Sequence, residues 1–250
     1  MELLEVKNLT KTFKGLIAVN KVSFNIKEGE IVGLIGPNGA GKSTVFDMIT
    51  GIRPPDGSSP FPDSGDIIFK GKSIVKLPAY IRCNLGIGRT FQLTKPLKEM
   101  TVFENVYVAL LFSNKFKGNR KNLTQTAKEI CELVSLGGKM EELASNLTVP
   151  DRKKLELARA LATQPELLLL DEVMAGLNPS EVREACNLIK KIRDLGITIL
   201  VVEHVMKAIM NVSDRIIVLD HGVKIAEGKP EEVVKNQKVI EAYLGEEKTA

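Results

Sequence analysis

The first part of the chain shows the apolar and polar patterns of β-strands. Residues 3–6 and 22–26 alternate apolar with polar side chains, as half-exposed antiparallel strands do. Residues 30–35 predict a buried strand, because an apolar run follows Glu30, as is typical of a strand buried on both faces. Residues 66–69 predict another strand, and a further strand is expected to lead up to residue 92. This part of the chain is therefore expected to be mostly sheet.

The period then changes to that of a helix over residues 96–149. Apolar positions recur there at helical spacing over 102–112 and 123–136, and the pattern shows no strand-like alternation. Residues 113–122 are polar and basic, which predicts an exposed loop. We interpret residues 93–151 as an inserted helical subdomain.

Short apolar strands and helices alternate in the rest of the chain. The predicted strands are residues 167–172, 197–202, 215–219 and 223–226. The predicted helices are residues 152–163, 179–195 and 230–244, together with 45–49 earlier in the chain. Such alternation is typical of an α/β fold with a mainly parallel sheet.

Composition narrows the class of protein. A length of 250 residues suits one large domain, or one domain with a subdomain. Apolar residues make up 44% and charged residues 26%, as in an ordinary globular protein. No apolar run approaches the ~20 residues that span a bilayer, and residues 1–5 carry acids where a secretory signal peptide has basic residues. A net charge of +4 points to no particular polyanion, so no nucleic-acid partner is expected.

The three cysteines, Cys83, Cys131 and Cys186, lie far apart and show no Cys-x-x-Cys spacing. Neither a metal site nor a disulfide framework is expected from them. We expect buried, reduced thiols of a cytosolic protein.

The most specific motif is the phosphate loop, residues 36–44. It reads Gly, four residues and then Gly-Lys-Ser, between an apolar strand and a predicted helix. Glycines let the backbone N–H groups point at phosphates, and the helix adds the positive end of its dipole. Lys42 would reach the β- and γ-phosphates, and Ser43 would bind Mg²⁺. The candidate nucleotide-binding residues here are Gly36, Pro37, Asn38, Gly39, Ala40, Gly41, Lys42, Ser43 and Thr44.

Polar residues also follow other predicted strands, and ligands bind where the carboxyl ends of parallel strands meet. Asp171 would hold Mg²⁺ directly or through water, and Glu172 would orient or deprotonate the attacking water. Gln92 and His204 could contact the γ-phosphate, the metal or that water. The expected metal ligands are Ser43, Gln92 and Asp171. The expected catalytic residues are Glu172, His204 and Gln92.

Two stretches near the N-terminus leave alternatives open. Phe13 lies in a polar segment that ends at Gly15. It could stack on an adenine face, or it could pack in the core, and the sequence favours neither. Residues 51–65 are rich in Pro, Gly and Ser and predict a long surface loop without an assigned role.

In this order, the motifs resemble the nucleotide-binding subunit of an ABC transporter over nearly the whole chain. The resemblance is narrower to the ATPase subunits of branched-chain (hydrophobic) amino acid importers, to which residues 89–92, 98–106 and 171–177 are similar. It implies a P-loop NTPase fold. A RecA-like core with an antiparallel β lobe would comprise residues 1–92 and 152–250, with the α-helical subdomain inserted between them.

The resemblance also gives each motif a role. Phe13 matches the adenine-stacking aromatic, residues 36–44 match the Walker A loop, and Gln92 matches the Q-loop glutamine. Asp171 matches the Walker B aspartate, and Glu172 matches the catalytic glutamate.

Residues 175–179 match the D-loop of such subunits, and His204 matches the switch histidine. The implied cofactors are ATP and Mg²⁺, and two subunits would sandwich two ATP molecules head to tail. Transmembrane permease subunits would be direct partners, and an extracytoplasmic substrate-binding protein an indirect one. The chain is expected at the cytoplasmic face of the cell membrane, bound through the permease.

One segment departs from the family pattern. The signature Leu-Ser-Gly-Gly-Gln should stand at residues 147–151, here named the signature segment, where this chain has Leu-Thr-Val-Pro-Asp. Thr148 can still cap the next helix, but Val149 would crowd a phosphate and Pro150 removes an N–H donor. Asp151 favours the helix by ~0.3–1 kcal/mol. It would oppose a phosphate charge by about 3 kcal/mol at roughly 6 Å and an effective dielectric of 20.

This departure favours a heterodimer. In the head-to-tail sandwich, each site pairs the Walker A loop of one subunit with the signature of the other. A homodimer of this chain would therefore have two weak sites. A partner ATPase subunit with a normal signature would give one site that hydrolyses ATP well.

Three alternatives stay open. The chain could serve an ABC exporter of lipid or lipopolysaccharide type, since related cassettes work in both directions. It could be a soluble, non-transport ABC ATPase, although those usually carry two cassettes or a long coiled-coil insert. It could be a regulatory subunit that only binds ATP, but Glu172 and His204 speak against that.

Overall fold

The computed structural model describes residues 1–52, 58–92, 95–113 and 120–244. Parts of two predicted loops, residues 53–57 and 114–119, lie outside the described residues. Strands and helices are numbered along the chain.

An antiparallel sheet contains the N-terminal strands. Its members are β1 (Glu2–Phe13), β2 (Leu16–Lys27), β4 (Ser64–Phe69) and β5 (Lys72–Ser73), in the order β2-β1-β4-β5. The first two strands are longer than predicted and include most of the polar segment before Gly15. The pairing of β1 with β2 continues to Phe13 and Leu16. The buried Lys11 donates through its ammonium group to the carbonyl oxygen of Phe61 at 2.9 Å.

A second sheet of six strands holds the predicted parallel strands. They are β3 (Ile31–Ile35), β6 (Ile87–Arg89), β7 (Leu167–Asp171), β8 (Thr198–Val202), β9 (Arg215–Asp220) and β10 (Val223–Gly228). The order is β10-β9-β3-β8-β7-β6, and only β10 is antiparallel to its neighbour. Strands β3, β7 and β8 are buried along their whole length, which their continuous apolar sequences predict.

The helices lie between and after these strands. They are α1 (Lys42–Thr50), α2 (Ala79–Leu85), α3 (Val102–Leu111), α4 (Arg120–Leu133), α5 (Val149–Ala162), α6 (Pro179–Asp194), α7 (Met206–Val212), α8 (Pro230–Val233) and α9 (Gln237–Leu244). Local signals set several ends: Asn178 and Glu181 form a capping box at the start of α6. No helix of the described chain is long and apolar enough to cross a bilayer.

The parallel sheet separates two hydrophobic cores. Leu167 and Leu169 of β7 face the core shared with α1 and the antiparallel sheet, whereas Leu168 and Leu170 face the core shared with helices α3 to α9. The carboxyl ends of β3, β8, β7 and β6 lie side by side at one edge. That edge is where the predicted site residues follow their strands.

Three features of the fold differ from the sequence-based predictions. The predicted final helix over 230–244 is two helices, because Asn236 caps a new start by accepting from the Lys238 N–H at 3.0 Å. Helices α2 and α7 were not predicted. Of the cysteines, Cys131 and Cys186 are buried as expected, whereas Cys83 is only partly buried.

The bounds of the helical subdomain, residues 93–151, stay a prediction. Helix α5 packs on both α3 and α4, which lie inside the predicted insert, and also on β6 of the core. It therefore connects the two parts across the predicted boundary at residue 151.

Candidate active site

The phosphate loop follows β3 and lies tightly against two other strands. Gly36 and Gly41 have positive φ angles of 151° and 99°. A Cβ on Gly36 would stand 2.0 Å from the carbonyl oxygen of Leu219, and one on Gly41 would stand 2.4 Å from that of Ala18. Only glycine fits these positions. The glycines thus let the loop close against β9 and β2.

Helix α1 begins in a way that suits an anion. Gly41 is its N-cap residue, and no side chain of the described chain caps the first turn, which also lacks an acidic residue. The Lys42 side chain is 6% exposed, and Nζ donates to the carbonyl oxygens of Gly36 and Pro37 at 2.7 and 2.8 Å. Uncapped N–H groups, the helix dipole and a lysine together form a typical phosphate-binding arrangement.

Three of the predicted residues meet at the ends of neighbouring strands. Nε2 of His204 lies 2.9 Å from Oε1 of Glu172, and Nε2 of Gln92 donates to Oε2 of Glu172 at 2.7 Å. Glu172 directly follows β7, and the other two follow β8 and β6, which flank β7 in the sheet. Both oxygens of the Glu172 carboxylate are therefore engaged by the residues predicted to act with it.

Asp171 is held by two neighbours from the end of β6. Arg89 Nη2 donates to Asp171 Oδ2 at 2.8 Å, and the Asp171 N–H donates to Thr90 Oγ1 at 3.1 Å. Arg89 also forms an ion pair with Asp47 of α1. One guanidinium group therefore connects the carboxylate after β7 with the helix that follows the phosphate loop.

Arg89 was missed as a site residue by the sequence analysis. Its side chain is 9% exposed and lies 5.5 Å from the ring centroids of both Phe46 and Phe91. Burial raises the pKa of Asp47, and the Arg89 guanidinium counteracts that shift. The available signal was an arginine at the end of a short apolar strand, three residues before Gln92.

Two other predicted residues stand apart from this cluster. Ser43 is exposed in the first turn of α1, and within the described residues it forms no hydrogen bond to Asp171. Phe13 ends β1 instead of lying in a loop, and it is half-buried with the Lys11 ammonium 5.3 Å from its ring centroid. Both alternatives for Phe13 remain compatible with this position.

The signature segment makes a self-contained helix start. Thr148 is the N-cap of α5, and its Oγ1 accepts from the Asp151 N–H at 3.4 Å and donates to Asp151 Oδ2 at 2.8 Å. Lys139 Nζ lies 2.6 Å from the same carboxylate oxygen. Burial acts to raise the pKa of Asp151, but the hydrogen bonds from Lys139 and Thr148 outweigh it and hold the pKa below its usual value. Val149 is 66% exposed. The predicted capping role of Thr148 is confirmed.

Comparisons with known proteins agree with this geometry. A sequence profile of the ABC transporter family matches residues 19–175, and a profile of the branched-chain amino acid ATP-binding cassette transporter matches residues 223–249. The chain is 42% identical, over 98% of each sequence, to the high-affinity branched-chain amino acid transport ATP-binding protein LivG of Salmonella typhimurium. It is 34% identical, over 99% of each sequence, to the lipopolysaccharide export system ATP-binding protein LptB of Escherichia coli.

Solved structures extend the agreement to the fold. The ADP conformation of MJ1267, an ATP-binding cassette of an ABC transporter, matches with a TM-score of 0.86 and 32% identity over 98% of this chain and 99% of that chain. A dimeric post-hydrolysis state of the ATP-binding cassette MJ0796, bound to ADP and Pi, matches with a TM-score of 0.80 and 27% identity over 91% of this chain and 99% of that chain. The protein therefore belongs to the ABC transporter family, as a P-loop cassette that binds and hydrolyses ATP.

Proposed function

We propose that this chain is the ATPase subunit of an importer for branched-chain amino acids. It would work at the cytoplasmic face of the membrane, bound to separate permease subunits that an extracytoplasmic binding protein supplies with substrate. The profile match at residues 223–249 and the identity of 42% with LivG, against 34% with LptB, support this choice. Export of a lipopolysaccharide-type substrate is the second candidate, because LptB also matches from end to end.

The observation that carries the hydrolytic role is the meeting of Gln92 and His204 on the Glu172 carboxylate. A carboxylate fixed on both oxygens is positioned to orient an attacking water or to accept its proton. Lys42 and the amides of the phosphate loop would stabilise charge on the transferred phosphoryl group. Phosphoryl transfer depends mainly on such positioning and electrostatic stabilisation.

Mg²⁺ would be held by oxygen donors from three segments. The Ser43 hydroxyl, the Asp171 carboxylate and the Gln92 amide oxygen are ligands of the kind that Mg²⁺ prefers. The orientation of Gln92 supports its part in this set, because Nε2 donates to Glu172 and leaves the amide oxygen for another contact. When bound, the ion neutralises charge on the β- and γ-phosphates. Phe13 would then stack on the adenine.

A heterodimer with a second ATPase subunit fits the signature segment best. Pro150 has no N–H to offer, and the Asp151 N–H is already directed at Thr148. The Asp151 carboxylate would also face the phosphates of the partner subunit. The phosphate loop and Glu172 of this chain would instead work with a normal signature from the partner.

The first experiment is ATP turnover of the purified chain alone, beside Glu172→Gln, with size-exclusion chromatography in ATP and Mg²⁺. We expect ATP binding with negligible turnover, and a rise in turnover when the second ATPase subunit is added. Full transporter-rate turnover by a homodimer, lost in Glu172→Gln, would show that the heterodimer proposal is wrong.

Transport itself is tested after reconstitution with the permease subunits in vesicles. We expect ATP-dependent uptake of labelled leucine, isoleucine or valine, and stimulation of turnover by the loaded binding protein. Turnover stimulated by lipopolysaccharide without amino acid uptake would favour the exporter. Tightly bound nucleic acid in the purified protein would favour a soluble, non-transport ATPase.

A further inference from the structure

The backbone at Glu172 is strained. Its φ angle is 50°, in the left-handed region, which is unfavourable for a residue with a Cβ. Its N–H donates to the Val202 carbonyl oxygen at 3.0 Å, and the chain then turns so that the Ala175 N–H reaches the Glu172 carbonyl oxygen at 3.3 Å. Such strain persists only where the surroundings hold the backbone in place. The structure shows what holds it here.

Two ionisable side chains from different parts of the fold hold this turn, residues 172–175. Lys153 of α5 donates through Nζ to the carbonyl oxygen of Glu172 at 3.2 Å and also to that of Ala175. Glu203, which follows β8, accepts through Oε1 from the Met174 N–H at 2.6 Å. The turn is thus bound on its carbonyl side by a cation and on its N–H side by a carboxyl group.

Burying Glu203 at this position is energetically unfavourable. It is 2% exposed, and its second oxygen, Oε2, has no hydrogen-bond partner in the described chain. Burial raises its pKa to about 7, against the opposing effects of the Met174 N–H and Lys153, while Glu172 raises it further. A buried carboxyl oxygen without a hydrogen-bond partner destabilises a fold. The contact of the other oxygen with the Met174 N–H is what Glu203 contributes at this position.

We propose that Lys153 and Glu203 are positioning residues for the hydrolytic site. By fixing the turn at 172–175, they keep Glu172 in the left-handed conformation in which Gln92 and His204 reach its carboxylate. The proposal rests on the hydrolytic role assigned above to Glu172.

The arrangement also connects the site with the signature segment. Lys153 lies on α5, whose first turn carries that segment, only two residues after Asp151. A shift of α5 would change the contact of Lys153 with the Glu172 carbonyl oxygen. Lys153 therefore links the start of α5 with the backbone of Glu172 in the same subunit.

The variants to compare are Glu203→Ala, Glu203→Gln and Lys153→Met. Alanine removes the acceptor of the Met174 N–H, whereas glutamine keeps an oxygen of similar placement. Methionine keeps the length of the lysine side chain without its donors. Lys190→Met is the matched control, because Lys190 is an exposed lysine on α6.

The first measurement is hydrogen exchange of residues 172–178 in the purified chain. We expect exchange about 10-fold faster or more in Glu203→Ala and Lys153→Met, and near wild-type exchange in Glu203→Gln and Lys190→Met. Unchanged exchange in both Glu203→Ala and Lys153→Met would overturn the proposal. If Glu203→Ala does not fold, Lys153→Met tests the same turn from a half-exposed helix position.

The second measurement is the split between kcat and KM for ATP, in whichever assembly hydrolyses ATP. We expect kcat to fall about 10- to 100-fold in Glu203→Ala and Lys153→Met with KM within about twofold, and Glu203→Gln to restore kcat. Normal kcat despite a loosened turn would overturn the proposal. Glu172→Gln is measured in parallel. If it leaves kcat unchanged, the role proposed for Glu172 is wrong, while the exchange result still tests whether Lys153 and Glu203 hold the turn at 172–175.

Discussion

Helices α1 and α5 begin in opposite ways, although both starts belong to the nucleotide machinery of the family. The first turn of α1 has glycine as its N-cap, no acidic residue, and no capping side chain in the part of the chain that the structure describes. The first turn of α5 has a threonine cap, a proline and an aspartate whose N–H is directed at that cap. One start leaves its N–H groups for a ligand, and the other uses its own side chains.

The difference shows how the same element can serve binding or stability. Every helix start has N–H groups without intrahelical partners, and either the chain or a ligand must satisfy them. In α1 the buried Lys42 adds positive charge at this point. In α5 the carboxylate of Asp151 adds negative charge, which Lys139 partly neutralises. The first arrangement is suited to binding phosphate, and the second is suited to stabilising the helix itself.

Lys42→Met tests phosphate binding at the start of α1 and should have the largest effect of all the variants. Losing the ammonium group should weaken ATP binding by about 100-fold or more, because charge-assisted contacts with phosphate are strong. Binding can be measured with a fluorescent ATP analogue. Lys154→Met is the control, because that lysine lies near Asp151 on α5, 3.9 Å from its carboxylate. Equal loss in both variants would mean that the two helix starts do not differ in phosphate binding.

The combined change Val149→Gly, Pro150→Gly and Asp151→Gln should turn the start of α5 into a phosphate site. We expect turnover of the chain alone to rise about 10- to 100-fold, because the change removes the Asp151 carboxylate, whose repulsion of a phosphate is at most about 3 kcal/mol, and restores an N–H donor. Steady-state ATPase assays measure the effect. The same triple variant with Glu172→Gln should lose the gain. No rise in turnover would mean that the signature segment is not what limits a homodimer.

Thr148→Ala should lower the stability of the protein, because it removes the side-chain cap of α5. Its Oγ1 contacts both the N–H and the carboxylate of Asp151, so we expect a loss of about 1–2 kcal/mol in the free energy of unfolding. Urea unfolding measures this change. Thr148→Ser keeps the hydroxyl and should stay within about 0.5 kcal/mol of wild type. A similar loss in both variants would assign the effect to the methyl group instead of the cap.

Local patterns predicted most of the fold. Continuous apolar runs identified β3, β7 and β8. Pro179-Ser180 as a helix start and Gly196 as a stop identified α6 closely. The pattern missed α2 and α7, because helices of seven residues show too few turns for a period to emerge. Pro78 before α2 and Gly86 after it were usable signals.

The site was only partly predictable, for a physical reason. The phosphate loop is one continuous motif, so its residue types and spacing carry the chemistry. Arg89 and Glu203 act through partners that are 42 and 29 residues away, Asp47 and Met174, and only the strand order brings these pairs together. Sequence spacing does not encode such contacts. The strand ends do predict which side chains share an edge, as for Glu172.

Asp151→Asn should have the smallest effect and should depend on pH. The native pKa of Asp151 is lower than in the unfolded chain, because Lys139 and Thr148 outweigh the effect of burial. Its contribution is therefore fully present above the unfolded pKa of about 4 and is lost as the pH falls below that value.

At pH 7 the asparagine variant should be less stable by about 0.3–1 kcal/mol, the value of an acid in a first turn. Urea unfolding should give the same difference at pH 7 and pH 5 and a smaller one at about pH 3, below the unfolded pKa. A difference that stays constant down to about pH 3 would mean that Asp151 stabilises α5 by shape instead of charge. The contrast with α1 would then rest on Pro150 and the Thr148 cap alone.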